Sequence, residues 1–195
     1  MFIELTDHLR CPADHPEQYL VLLPDSIVER SVVAGRLGCP VCGRTYAVAD
    51  GIAELGSSPV ASGVESLLEP AAMHVLLGLS GPGGYAVLVG SAAAGWQVLA
   101  EQSPGIALVA VNPPPAVVDA APVLSVLRAP LIPLKARSVR GVVLGPEFAA
   151  EPQWVRDAAR VTLPGLRVVG QGPPPAIEEL ELLATANDCW VASRR

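Results

Sequence analysis

Short apolar runs separated by turn residues recur along the second half of the chain. Ala86–Val89, Ile106–Val111, Val123–Leu127, Gly141–Leu144, Leu166–Val169 and Cys189–Ala192 each read as a strand. Between them, Trp96–Gln102 and Trp154–Val161 carry a helical pattern, and Ala176–Ala184 reads as a short acidic helix. Strands alternating with helices predict an α/β fold: a mostly parallel sheet with helices on both faces. The first strand runs into Gly90-Ser91-Ala92-Ala93-Ala94-Gly95 and then the helix from Trp96. Strand, tight turn and helix is how a nucleotide-binding α/β domain opens, with the helix N-terminus towards the ligand.

The first 55 residues are patterned differently. Tyr19–Leu23, Val32–Leu37 and Tyr46–Val48 read as three short strands, the last followed by an Asp50-Gly51 turn. Gly56-Ser57-Ser58-Pro59-Val60-Ala61-Ser62-Gly63 is small, polar and broken by proline, which reads as a linker. Val64–Leu79 then reads as a helix with Leu67, Leu68, Ala71, Val75 and Leu79 on one face, and His74 among them as a core or interface residue. The expected division is 1–55 as a small β domain, 56–63 as a linker and 64–195 as the α/β domain.

Composition sharpens this picture. Of 195 residues, 51% are hydrophobic and only 16% charged, so a large core can form and an apolar face is left for a protein partner or a second copy. A net charge of −6 argues against a general nucleic-acid surface. Residues 70–100 contain no Asp, Glu, Lys or Arg, which raises a membrane span, but Gly81-Pro82-Gly83-Gly84 cuts the stretch into two pieces too short to cross. The start, Met-Phe-Ile-Glu-Leu-Thr-Asp-His, carries acids early and lacks the basic opening of a signal peptide; a cytoplasmic location is expected.

Three of the four cysteines fall before residue 43. Cys39-Pro40-Val41-Cys42-Gly43 is a metal knuckle: two thiolates at this spacing bind one ion from a tight turn, and Gly43 lets the chain fold back. Cys11-Pro12-Ala13-Asp14-His15 is a second half-site without its second cysteine. Either His15 or Asp14 must supply the fourth ligand; histidine is the commoner zinc ligand, which favours Cys11, His15, Cys39 and Cys42 as a zinc set.

With these residues quoted, two resemblances follow. Leu9-Arg10-Cys11-Pro12 and the run Gly35-Arg36-Leu37-Gly38-Cys39-Pro40-Val41-Cys42-Gly43-Arg44-Thr45-Tyr46 through Ile52 resemble the zinc-ribbon family whose stand-alone members activate methyltransferases. Residues 85–170 resemble class I S-adenosylmethionine-dependent methyltransferases. Gly90-Ser91-Ala92 stands at the family's cofactor loop. Ile132-Pro133-Leu134 with Ser138–Leu144 stands at its fourth-strand motif. Arg156–Val169 contains the Arg160-Val161-Thr162-Leu163-Pro164-Gly165 segment. The resemblance implies a Rossmann-like, class I methyltransferase-like α/β domain behind a small N-terminal zinc-ribbon β domain, with Gly90, Ser91 and Asn112 at any surviving S-adenosylmethionine site.

The departures point elsewhere. Where the family places acids, this chain has Leu88, Asn112, Arg128 and Arg140, and two loop glycines are Ala92 and Ala94. A charge-assisted hydrogen bond is worth about 1.5–3 kcal/mol, so losing three weakens binding by roughly three powers of ten. No Ser-His-Asp or Cys-His arrangement is evident. Asp119 and Glu147 read as isolated surface acids, His8 as a ribbon residue away from any cleft, and Cys189 as a small buried hydrophobe. The leading expectation is therefore a non-catalytic, methyltransferase-like zinc-ribbon protein acting as a binding or scaffold subunit. The rivals are an active methyltransferase with an atypical cofactor site and a zinc-ribbon nucleic-acid binder, to which Arg10, Arg30, Arg36 and Arg44 lend support.

Overall fold

A computed structural model describes residues 1–59, 66, 68–174 and 176–195. Its centre is strand β5 (Tyr85–Val89), in which every residue is buried. It lies parallel between β6 (Ala107–Val111) and β8 (Val139–Leu144). β7 (Leu124–Arg128) adds beside β6, and β9 (Thr162–Gln171) beside β8, both parallel. Strands buried on both faces must be apolar throughout, which is why these runs show no alternation in sequence.

Before this block come β1 (Val21–Val28), β2 (Ser31–Gly38), β3 (Thr45–Ala49) and β4 (Ile52–Glu54), an antiparallel meander. Residues Glu29-Arg30 and Asp50-Gly51 all have positive φ at the two hairpin turns, the geometry that twists with the strands. β4 lies beyond the three short strands that the sequence pattern marks. It pairs parallel with β7 through Ala53↔Leu127 and Glu54↔Arg128, so the meander and the parallel block form one sheet. Among the described residues the sheet has 11 strands in the order β1-β2-β3-β4-β7-β6-β5-β8-β9-β11-β10. The order of the parallel strands reverses at β5, the topological switch point.

The expected acidic helix at Ala176–Ala184 is absent. Leu180–Ala186 is strand β10, antiparallel to β11 (Cys189–Arg194), which itself pairs antiparallel with β9. Asn187 and Asp188, with φ of 49° and 56°, make the connecting turn. An Asx pair tolerates positive φ and so selects a hairpin over helix propensity. The end of the domain is therefore a strand pair, fuller than the sequence suggested.

Helices cover the other dimension. α1 (Pro70–Leu77) starts with Pro at its first turn and stops at Gly78, whose φ of 64° is the left-handed cap. Val64 and Leu67 of the expected longer helix lie outside the described residues. Its buried face is Met73 and Leu77; Ala71 and Val75, expected there, are exposed. α2 (Trp96–Gln102) follows β5, and α3 (Pro146–Ala149) and α4 (Pro152–Val161) lie between β8 and β9. On one side of the sheet α1 and α2 cover Ala86, Leu88, Leu108 and Val143. On the other, Val87, Val89 and Val142 share a core with Trp154 and Val155 of α4 and with Met1, Leu5 and Leu9. No helix among the described residues is long and apolar enough to cross a membrane.

Candidate functional site

The knuckle folds as its sequence dictates. The amide of Gly43, at φ +68°, donates to the Cys39 carbonyl over 3.0 Å, and the Cys39 amide donates to the Arg44 carbonyl over 2.9 Å. This places Cys39 and Cys42 side by side. Opposite them, the Cys11 amide donates to the Gln18 carbonyl over 2.8 Å, looping the first half-site round. The ligand atoms of Cys11, His15, Cys39 and Cys42 all lie within 4.8 Å of one another. Asp14 is exposed and outside the group.

The spacing of the group fits zinc. Bond lengths of about 2.3 Å to sulfur and 2.0–2.1 Å to nitrogen in a tetrahedron put two sulfurs about 3.8 Å apart, and a sulfur and a nitrogen about 3.5 Å apart. Cys11 and Cys42 Sγ are 3.8 Å apart, and Cys39 Sγ lies 3.5 Å from His15 Nε2. His15 Nδ1 sits 2.7 Å from the Pro16 carbonyl. As a donor there, Nδ1 carries the proton and leaves Nε2 free to bind a metal, the usual outer-shell arrangement. Burial alone would push the Cys39 thiol up. The Cys42 and Val41 amides and the neighbouring thiols outweigh it and bring the group down to about 6, so a thiolate is present at neutral pH. Burial raises Cys11, whose sulfur is 3.4 Å from the Tyr46 hydroxyl.

The first half-site is clamped to the α/β part. Leu9 bridges Leu134, the Arg10 amide donates to the Pro133 carbonyl over 2.9 Å, and the Lys135 amide to the His8 carbonyl over 2.8 Å. The Arg10 guanidinium reaches Asp157 of α4 at 3.3 Å, and Arg160 meets the same carboxylate at 2.6 Å and Glu17 at 3.2 Å. Asp157 also accepts the Ile132 amide at 2.6 Å.

The switch point lies at the C-terminal end of β5. Gly90, at φ +64°, begins a 3-10 turn through Gly95 that leads into α2. The residues expected to receive a cofactor already have partners. Glu147 of α3 accepts the Ser91 amide at 2.7 Å and the Ser91 hydroxyl at 2.9 Å. A Cβ on Gly90 would lie 2.3 Å from Glu147 Oε1 and 2.5 Å from the Phe148 ring, so these two side chains cover the glycine. Asn112 is 3% exposed at φ +51°, donating to the Ala129 carbonyl at 2.8 Å and accepting the Ala129 amide at 2.9 Å. It ties the end of β6 to the end of β7.

Glu147 is thus not an isolated surface acid, and neither is Asp119. Asp119 lies 2.9 Å from the Met1 amine and accepts the Val126 amide at 3.3 Å. Nothing in the spacing of Gly145-Pro146-Glu147-Phe148 signalled that the carboxylate would fold back onto Ser91. The arginines at acid positions have structural work. Arg128 pairs with Glu54 at 3.2 Å, and Arg140 donates to the carbonyls of Ser80, Gly81 and Gly83. His74 is 2.8 Å from the Ser103 hydroxyl, and Cys189 is only half-buried. His8 stands edge-on to Tyr85 with ring centroids 4.9 Å apart, and both line a cleft, contrary to the expectation for His8.

No protein-family model matches the chain, and no curated protein sequence matches it. Among solved structures it is similar to an S-adenosylmethionine-dependent methyltransferase from Aquifex aeolicus, at 15% identity and TM-score 0.46, over 66% of this chain and 89% of that one. It is similar to the antibiotic-resistance methyltransferase Kmr at 12% identity and TM-score 0.44, over 70% and 97%. It is also similar to a structure assigned as a sarcosine dimethylglycine methyltransferase from Galdieria sulphuraria, at 15% identity and TM-score 0.39. That overlap covers 52% of this chain and 44% of that one, so the chain spans under half of its length. These are partial likenesses of an α/β fold with a sheet parallel at its core.

Proposed function

We propose that this protein is a zinc-binding, methyltransferase-like subunit that keeps the α/β scaffold without a working cofactor site, and serves to bind or hold a partner. In this reading residues 1–55 form the zinc ribbon and 64–195 the methyltransferase-like part. The observation that carries it is the filled switch point. Glu147 takes both donors of Ser91, and Asn112 spends its amide on Ala129. A ligand there would have to displace a half-buried carboxylate and find replacements for the acids absent at Leu88 and Arg140. Zinc would be held by Cys11, His15, Cys39 and Cys42, and its role would be to fix the ribbon's fold. Partner binding would use the apolar sheet edges: Val21 and Leu23 on β1, and Leu182 and Leu183 on β10, are each about half exposed. Reduced, metal-bound cysteines agree with a reducing, cytoplasmic setting.

Calorimetric titration of the zinc-loaded protein with S-adenosylmethionine and S-adenosylhomocysteine tests the proposal. Silence at about millimolar ligand is expected. Binding near about 1 μM, a free energy of about −8.2 kcal/mol, would overturn it and give the lead to an active methyltransferase.

A further inference from the structure

A second cleft lies at the opposite end of the sheet from Gly90. It opens where β5 and β6 begin, at Tyr85 and Ala107, beside Ser138 just ahead of β8. Its volume is about 600 Å³, within the range of small-molecule sites. Gly84 and Gly105 lie in its floor, which is closed by the Gly83 amide donating to Gly105 and the Ala107 amide to Gly84. Phe2, Asp7, His8 and Tyr85 stand round it.

One feature is unexplained by the fold: His8 Nδ1 is shielded and unpartnered. Shielded polar groups nearly always have a partner, so a missing one points to a ligand. Tyr85 lines the cleft beside it, and its hydroxyl bonds no other described residue, which leaves it to water or a ligand. The charges round the cleft say which kind. Asp7 has no ion pair among the described residues, and Glu4 pairs with Arg30, whose guanidinium already covers the Phe2 ring. Burial lowers the His8 imidazole and Lys135 lowers it further, with Asp7 opposing, so the ring is neutral near pH 7. Burial raises the Tyr85 phenol, which stays protonated. Lys135, the cation that acts on His8, does not line the cleft, and Arg140, packed against Gly84, spends its guanidinium on the carbonyls of Ser80, Gly81 and Gly83. The site therefore offers a free carboxylate, a neutral phenol and aromatic walls. Its carboxylates and imidazole do not converge as metal ligands; among the described residues only the Cys11 group does.

We infer that this cleft binds a small protonated amine, with Asp7 as its counter-ion and the Tyr85 hydroxyl as its hydrogen-bond partner. The inference is independent of the reading of the switch point, which lies at the other end of β5.

The probe is 1,4-diaminobutane, titrated calorimetrically into the zinc-loaded protein, with 1,4-butanediol as the uncharged control. Binding of the diamine at about millimolar or tighter is expected, with none for the diol. Asp7→Asn, an exposed change that leaves the core alone, should weaken it at least about tenfold, as loss of a charge-assisted bond implies. Tyr85→Phe, which keeps the ring, should weaken it by about threefold or more. Glu101→Gln on α2, which covers the other face of the sheet, should change nothing. No heat with diamine at about 10 mM, equal binding by the diol, or equal loss in Glu101→Gln and Asp7→Asn would each overturn the inference.

Discussion

At the scale of single residues, the chain shows side chains doing the work of backbone or ligand. Asn112 behaves like one more peptide unit between β6 and β7, offering one donor and one acceptor to Ala129. Its φ of +51° is a conformation that asparagine tolerates better than most residues. Glu147 holds Ser91 by two hydrogen bonds in a buried turn. Asn112→Ala leaves the buried Ala129 groups unpaired and strains the backbone, so a loss of about 2–4 kcal/mol is expected in denaturant unfolding. Glu147→Ala should cost about 1–3 kcal/mol by the same measure, because the Ser91 amide loses its acceptor. Neither change should create heat with S-adenosylmethionine, since the missing acids remain missing. A loss below about 0.5 kcal/mol in both would mean that the switch point is wet and open rather than filled.

At the scale of elements, turn chemistry decides more than propensity does. The run Leu180-Glu181-Leu182-Leu183-Ala184 is rich in helix formers, yet it is a strand because Asn187-Asp188 folds it back onto β11. Cys189–Arg194 has β9 on its other side, so the hairpin is anchored by a completed ladder. Asp188 holds φ +56° at a position where glycine is unstrained. Asp188→Gly should therefore stabilise the protein by about 0.5–1 kcal/mol, seen as a higher unfolding midpoint. A drop would mean that the Asp188 side chain, not its backbone, sets the turn. α1 makes the complementary point: its limits come from Pro70 and Gly78, and the buried stripe is Met73 and Leu77 rather than the sequence's apparent Ala71–Val75 line.

At the scale of the whole molecule, the metal group and the α/β sheet are mechanically one body. β4 pairs with β7, Met1, Leu5 and Leu9 pack under β5 and β8, and Arg10, beside Cys11, is tied to Asp157 of α4. Stripping metal from a site of this kind removes folding free energy directly. Chelation of the zinc-loaded protein should lower Tm by more than about 10 °C, using roughly 2–4 °C per kcal/mol for a chain of this size. The change should appear as one transition in calorimetry, because the antiparallel meander and the parallel block share a core. Two separate transitions, with the upper one unmoved by chelator, would show that the shared core does not couple them. His15→Ala should bring the untreated protein most of the way to the chelated midpoint, while Asp14→Ala should leave it in place.

The sequence by itself determined what depends on neighbours along the chain. The central strands were legible because double burial forces unbroken apolar runs, and α2 because its periodicity has no competitor. The knuckle was legible because two cysteines and a glycine at fixed spacing leave the backbone one way to turn. Ligand chemistry favours His15 over Asp14 as the partner of Cys11, and the ligand atoms of Cys11, His15, Cys39 and Cys42 lie within 4.8 Å of one another. What tertiary structure decided were contacts between residues far apart in sequence. Glu147 lies 56 residues from Ser91, and Asp157 lies 147 from Arg10. The β4–β7 pairing joins the two patterned halves, and His8 meets Tyr85 beside the bridge between Leu9 and Leu134. A carboxylate has no period and no local signature. Its partner is chosen by whatever the packed sheet brings within reach, and that choice separates a filled crevice from an open one.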